Sequence, residues 1–117
     1  SVPKPEEQPT AFIAVLQDTR LPGCSDVDVG LALGSLTAAV WAHGVGSCIM
    51  GAIDRPALTE LLALPEGLRL CYMVALGYPA HKSRVVTMQD SSVKYYLDEN
   101  RDYCVPKRSA EDLSRSI

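Results

Sequence analysis

Residues 28–51, DVGLALGSLTAAVWAHGVGSCIMG, decide how the rest of the chain is read. No charged side chain stands between Val29 and Ala42, and apolar residues fall on every face rather than on one stripe. That pattern predicts a helix packed on all sides, in a core or at an interface. Gly30, Gly34, Ala38 and Ala42 recur every fourth position, so one face is nearly bare and admits a second helix at close range. Small residues at this spacing also occur in membrane pairs. The uncharged run falls short of the roughly 20 residues a bilayer requires and contains Ser35 and Thr37, so no membrane span is expected. Asp28, or Asp26 before it, is the expected N-cap, and His43-Gly44 the stop, with Gly44 available for the left-handed position.

Working outward, residues 1–9, SVPKPEEQP, predict an extended lead-in. Ala11 to Leu16, AFIAVL, is a short continuous apolar run, expected as a strand buried on both faces. A loop through Pro22-Gly23 then delivers the chain to the helix. On the far side, Asp54 should cap a second helix with Pro56 in its first turn, where a missing amide is harmless. Leu58, Leu61 and Leu62 give that helix an apolar face, and Pro65 should end it near Leu64. Leu70 to Leu76, LCYMVAL, predicts a central strand paired with Ala11 to Leu16 and ended by Gly77-Tyr78-Pro79. Residues 80–92 are polar and expected on the surface. Val93, Tyr95 and Leu97 then alternate with Lys94 and Tyr96 as a half-buried strand or arm. A turn over Asp98 to Asp102, an extended return at Tyr103 to Val105 and a short helix from a Ser109 cap through Arg115 complete the expectation. The class is α+β.

At 117 residues the chain has the size of one domain. Its net charge of -3, from 11 basic and 14 acidic residues, argues against a general nucleic-acid surface. No signal-peptide pattern occurs, so a cytoplasmic location is expected. Cys24, Cys48, Cys71 and Cys104 form no C-x-x-C, and neither His43 nor His81 stands at ligand spacing from them, which is poor ground for a metal site. A disulfide framework is not expected where the apolar content can build an ordinary core, and Cys71 is most simply a small core residue.

Two stretches could carry chemistry. Gly44-Val45-Gly46-Ser47-Cys48-Ile49-Met50-Gly51 sets glycines around a small apolar strip, which lets backbone approach a flat ligand with amides free to donate. The same pattern also describes a helix stop followed by a tight strand. Lys107-Arg108, after Val105-Pro106, could clamp a phosphate or simply be solvated. No P-loop or G-x-S-x-G is present, and the single near match to G-x-G-x-x-G carries Ile49 where the third glycine belongs. Nothing in the sequence brings His43 to Cys48 as a base for a nucleophile.

Taken together, PTAFIAVL, then DVGLALGSLTAAVWAHGVGSCIMGAIDRPALTELLALPEGLRLCYMVALGYPA, then VKYYLDENRDYCVPKRSAEDL resemble the C-terminal part of the FMN-dependent nitroreductase family. The most specific pieces are GVGSCIMGAIDR, VALGYP and the tail from YYLDEN to VPKR. The resemblance implies an antiparallel-rich mixed sheet flanked by helices, with a long central helix and an extended C-terminal arm. It implies a homodimer formed through that helix and arm, with FMN between the subunits. Reducing equivalents would pass from NAD(P)H through the flavin to a nitroaromatic, quinone or similar small-molecule acceptor. Ser47, Cys48 and Ile49 would pack near the flavin ring, the amides of Met50 and Gly51 would approach its reactive edge, and Lys107 and Arg108 would reach its phosphate. Met50 departs from relatives with an acidic residue there, a change that leaves the backbone donor intact. In such flavoenzymes the cofactor carries the redox chemistry, so no catalytic side chain is required. The family's N-terminal phosphate and ribitol motif has no counterpart here, so residues 1–117 are expected to form a single nitroreductase-like domain lacking that region. The alternative is a non-catalytic flavin-binding or dimerisation module.

Overall fold

The structure, a computed structural model, describes residues 4–114. The chain divides into two compact units, Ser1–Tyr78 and Pro79–Ile117. In the first unit β1 (Ala11–Asp18), α1 (Asp26–Ala42), β2 (Gly46–Met50), α2 (Arg55–Leu61) and β3 (Leu68–Gly77) follow in order. The lead-in is not wholly extended, because Pro5–Glu7 form a 3-10 turn in which the Lys4 amide donates to the Glu7 carboxylate at 3.3 Å.

β3 is the centre of a 3-stranded sheet of order β1-β3-β2, antiparallel to both neighbours. The long apolar run therefore occupies the position it predicts, opposite β1 in the register Ile13 to Val74 and Val15 to Tyr72. Alternation then sorts the side chains. Ile13, Val15, Tyr72, Val74 and Leu76 pack with Val29, Leu33 and Leu36 of α1, and Val74 is fully buried. β1 departs from the expectation of burial on both faces: it is an outer strand of its sheet, and Phe12 remains 53% exposed.

α1 begins earlier than either aspartate cap predicts. Ser25 is the N-cap, and the Asp28 carboxylate reaches back to accept from the Ser25 amide at 2.7 Å and its hydroxyl at 2.9 Å. Those bonds, the amide's foremost, hold the Asp28 carboxyl below its ordinary value. The stop is as expected, with His43 as C-cap and Gly44 at φ +74°. Burial within this chain is one-sided, contrary to a helix packed all round. Val29 and Leu33 are buried, whereas Leu31 and Trp41 are more than half exposed, and a Cβ added at Gly30 or Gly34 would meet nothing within 4 Å.

α2 starts as predicted, with the Asp54 carboxylate accepting from the Ala57 amide at 3.1 Å. It ends at Leu61, short of Pro65, because the chain turns at Ala63, which takes φ 47°. Its expected apolar face is incomplete, since Leu61 is largely exposed.

The second unit holds β4 (Ser83–Thr87), β5 (Tyr96–Leu97), β6 (Tyr103–Lys107) and α3 (Ala110–Leu113). β6 is central, parallel to β4 and antiparallel to β5. The polar stretch expected on the surface contains a strand, while the expected strand through Val93 shrinks to Tyr96–Leu97. Pro106 is tolerated inside β6 because β5 pairs only with Tyr103 and Cys104, leaving one side of Pro106 unladdered. Ser109 caps α3 as predicted, accepting from the Asp112 amide at 3.1 Å; Arg115, its expected end, lies outside the described residues. Among the described residues no helix is long and apolar enough to cross a membrane.

Candidate functional site

The glycine-rich segment resolves into a stop and an edge strand. Gly44 ends α1, its amide donating to the Trp41 carbonyl at 2.9 Å, and Val45 turns the chain into β2. β2 is paired on one side only, with β3, so the peptide groups along its other edge are directed away from the sheet. Ser47, Cys48 and Ile49 are exposed and Met50 is half-buried. The ladder pairs Ser47 with Leu76 and Ile49 with Val74, which sets them on the α1 side of the sheet, while Cys48 opposite Ala75 and Met50 opposite Met73 belong to the other side.

Gly51 lies one residue past the last ladder pair, Met50 with Met73, and is exposed. Its missing side chain has a local reason: a Cβ there would stand 3.3 Å from Cε1 of Tyr72. The close approach expected of a ligand on this glycine is made on that side by the ring of Tyr72, while the peptide group itself remains outside the ladder. The connection then reaches Asp54, the α2 cap, and Arg55, whose Nη2 donates to the Cys71 carbonyl at 2.9 Å. Arg55 and Tyr72 also line a cavity of about 310 Å³ with Asp26, Gly30 and Arg69. Arg69 bridges the buried Gln17 to Asp26, and the hydrogen bond that it donates to the Asp26 carboxylate foremost raises its guanidinium pKa.

Lys107 and Arg108 belong to the second unit, at and just past the end of β6, and both are exposed. The Lys107 carbonyl accepts from the Met88 amide at 3.1 Å, and neither cation pairs with a carboxylate among the described residues. Structure therefore brings five of the expected residues, Ser47 to Gly51, onto one strand and its exit, and sets the dibasic pair on another unit. All four cysteines are free thiols, no hydrogen bond joins Cys48 to His43, and no cluster of metal-ligating side chains stands among the described residues.

Sequence reasoning missed Tyr72 and Arg55. Tyr72 is the one aromatic in an otherwise aliphatic and sulfur-bearing run, and Arg55 is hidden as the residue between a cap and a helix-starting proline. Neither pattern carries a signal without the strand register.

The chemistry open to the segment is donation from peptide groups, with no acid or base built in. A flat redox ring asks for that donor set, and the exposed, ladder-free peptide at Gly51 fits it. In the comparison with known proteins, the model of the nitroreductase family matches residues 3–78, almost the whole of the first unit. No match was found among curated proteins.

Proposed function

The chain belongs to the nitroreductase family, and from that premise we propose that it serves as an FMN-dependent oxidoreductase that takes reducing equivalents from NAD(P)H. The acceptor class is an electron-poor small molecule such as a nitroaromatic or quinone. The observation that carries this reading is the exit of β2, where Gly51 is exposed, unladdered and backed by an aromatic ring.

When bound, the flavin supplies the redox chemistry, and the protein orients it. In this reading Ser47, Cys48 and Ile49 lie near the ring, and the Met50 and Gly51 amides donate toward its reactive edge. Amides fixed in place stabilise charge that develops during reduction without a reorganisation cost. Lys107 and Arg108 take the phosphate, Arg as a fork and Lys as a point charge. The whole chain, residues 1–117, is read as a single nitroreductase-like domain corresponding to the C-terminal part of the family domain. We take it to act as a cytoplasmic homodimer, a view supported by the open face at Gly30 and Gly34.

Flavin titration tests the proposal. Purified chain mixed with FMN should retain yellow colour through gel filtration and bleach on addition of NADH or NADPH under argon. Chain that stays colourless at any FMN concentration refutes it. A dimer that retains flavin and resists both nicotinamides supports instead the second reading, a flavin-binding or dimerisation module without turnover, which the open helix face also favours.

A further inference from the structure

We infer that Tyr72 and Arg55 are positioning residues that hold the 51–54 connection against β3, and so fix the direction of the peptide groups proposed to meet the flavin. The inference rests on that proposed function for its second half and on geometry alone for its first.

The geometry follows the register of β3. Met73 makes the last ladder pair, with Met50. One residue earlier in β3, Tyr72 sets its ring edge 3.3 Å from where a Cβ of Gly51 would be. One residue earlier again, the Cys71 carbonyl accepts Arg55 Nη2 at 2.9 Å, a partly buried bond. As the chain leaves β2 it therefore stays on β3 step by step, with a ring and then a guanidinium in place of ladder hydrogen bonds. Tyr72 is itself held from behind, because it packs on the core formed by Val29, Leu33, Cys71 and Val74. Arg55 is fixed by the start of α2, where Asp54 caps the helix. Both anchors thus belong to rigid elements, as a support for precisely aimed donors requires. Glycine at 51 belongs to the same device: a side chain there would push the ring away or the backbone out.

The contacts of both residues run to the connection and to β3, so their loss should act through the connection. The experiment measures backbone order parameters of residues 50–54 by nitrogen relaxation in the full chain without flavin, alongside FMN affinity by titration. Wild type should give values near about 0.85, and Tyr72→Ala or Arg55→Met should lower them below about 0.6 at 51–54 while leaving β1 and β3 unchanged. Tyr72→Phe, which keeps the ring, should behave as wild type. FMN affinity should fall about tenfold or more in the first two variants and hold in Tyr72→Phe. Unchanged order in Tyr72→Ala overturns the inference. Lowered order with undiminished FMN affinity overturns the positioning role, and wild type that takes up no FMN, with order at 51–54 falling in Tyr72→Ala and Arg55→Met, overturns the proposed function while upholding the clamp.

Discussion

Gly44 has a backbone requirement that no neighbour imposes. Its φ of +74° is left-handed, and a Cβ there would meet nothing within 4 Å. Gly44→Ala should therefore cost about 1 kcal/mol through conformation alone, read as a lowered urea midpoint with an unchanged slope. A second residue-level effect is set by charge. Arg20 donates to both oxygens of Asp18, at 2.8 Å and 2.7 Å, and this side-chain hydrogen bonding foremost holds the carboxyl at about 2, below its ordinary 3.8. A carboxyl depressed in the folded state stabilises at pH above its unfolded value, and that contribution is lost as pH falls through the folded one. Stability should thus decline between about pH 4 and pH 2 by a small, salt-screened amount, and Asp18→Asn should flatten that part of the profile in thermal melts at low ionic strength.

Among the elements, β3 and α1 carry the core of the first unit, and two substitutions separate packing from capping. Val74→Ala removes branched volume from a fully buried position under α1 and should cost about 2 kcal/mol. Ser25→Ala removes the N-cap hydroxyl that donates to the Asp28 carboxylate and should cost about 1 kcal/mol, both measured by chemical denaturation. The elements legible in the sequence were those with a local cause. LCYMVAL could only be a buried strand, Gly44 only a stop, and Asp54 and Ser109 sit where a first turn needs an acceptor. The start of α1 misled because Ser25 and two aspartates compete for one cap, and the winner is settled by Asp28 folding back on Ser25. β4 was invisible for a different reason: five residues in a polar stretch become a strand only by lying parallel to β6, a pairing that no local pattern encodes. The candidate site divides the same way. The segment from Ser47 to Gly51 announces itself by its glycines, whereas the roles of Tyr72 and Arg55 depend on which β3 residue each strand position faces.

For the whole molecule, the exposed side of α1 is a departure from a self-sufficient core. Leu31 and Trp41 lie open, and space surrounds Gly30 and Gly34. In an isolated chain Gly34→Leu would improve helix propensity by several tenths of a kcal/mol. Across the proposed homodimer it would wedge two helices apart, so the expected result is conversion to monomer in sedimentation experiments and a lower melting temperature. The match to the nitroreductase family ends at residue 78, where the first compact unit also ends, so this test addresses the portion with the firmest kinship.

The order of synthesis meets a constraint in the central place of β3. Both β1 and β2 pair with β3 and not with each other, and β3 is the last of the three to be made. A nascent chain on the ribosome holds two unpartnered strands and a greasy helix until Gly77 has cleared the exit tunnel, whereupon the sheet closes over a long sequence separation. Ribosome-bound intermediates in which Leu68 has not yet emerged from the tunnel should be protease-sensitive and chaperone-bound, and emergence of the ten residues of β3 is what turns them into a resistant body.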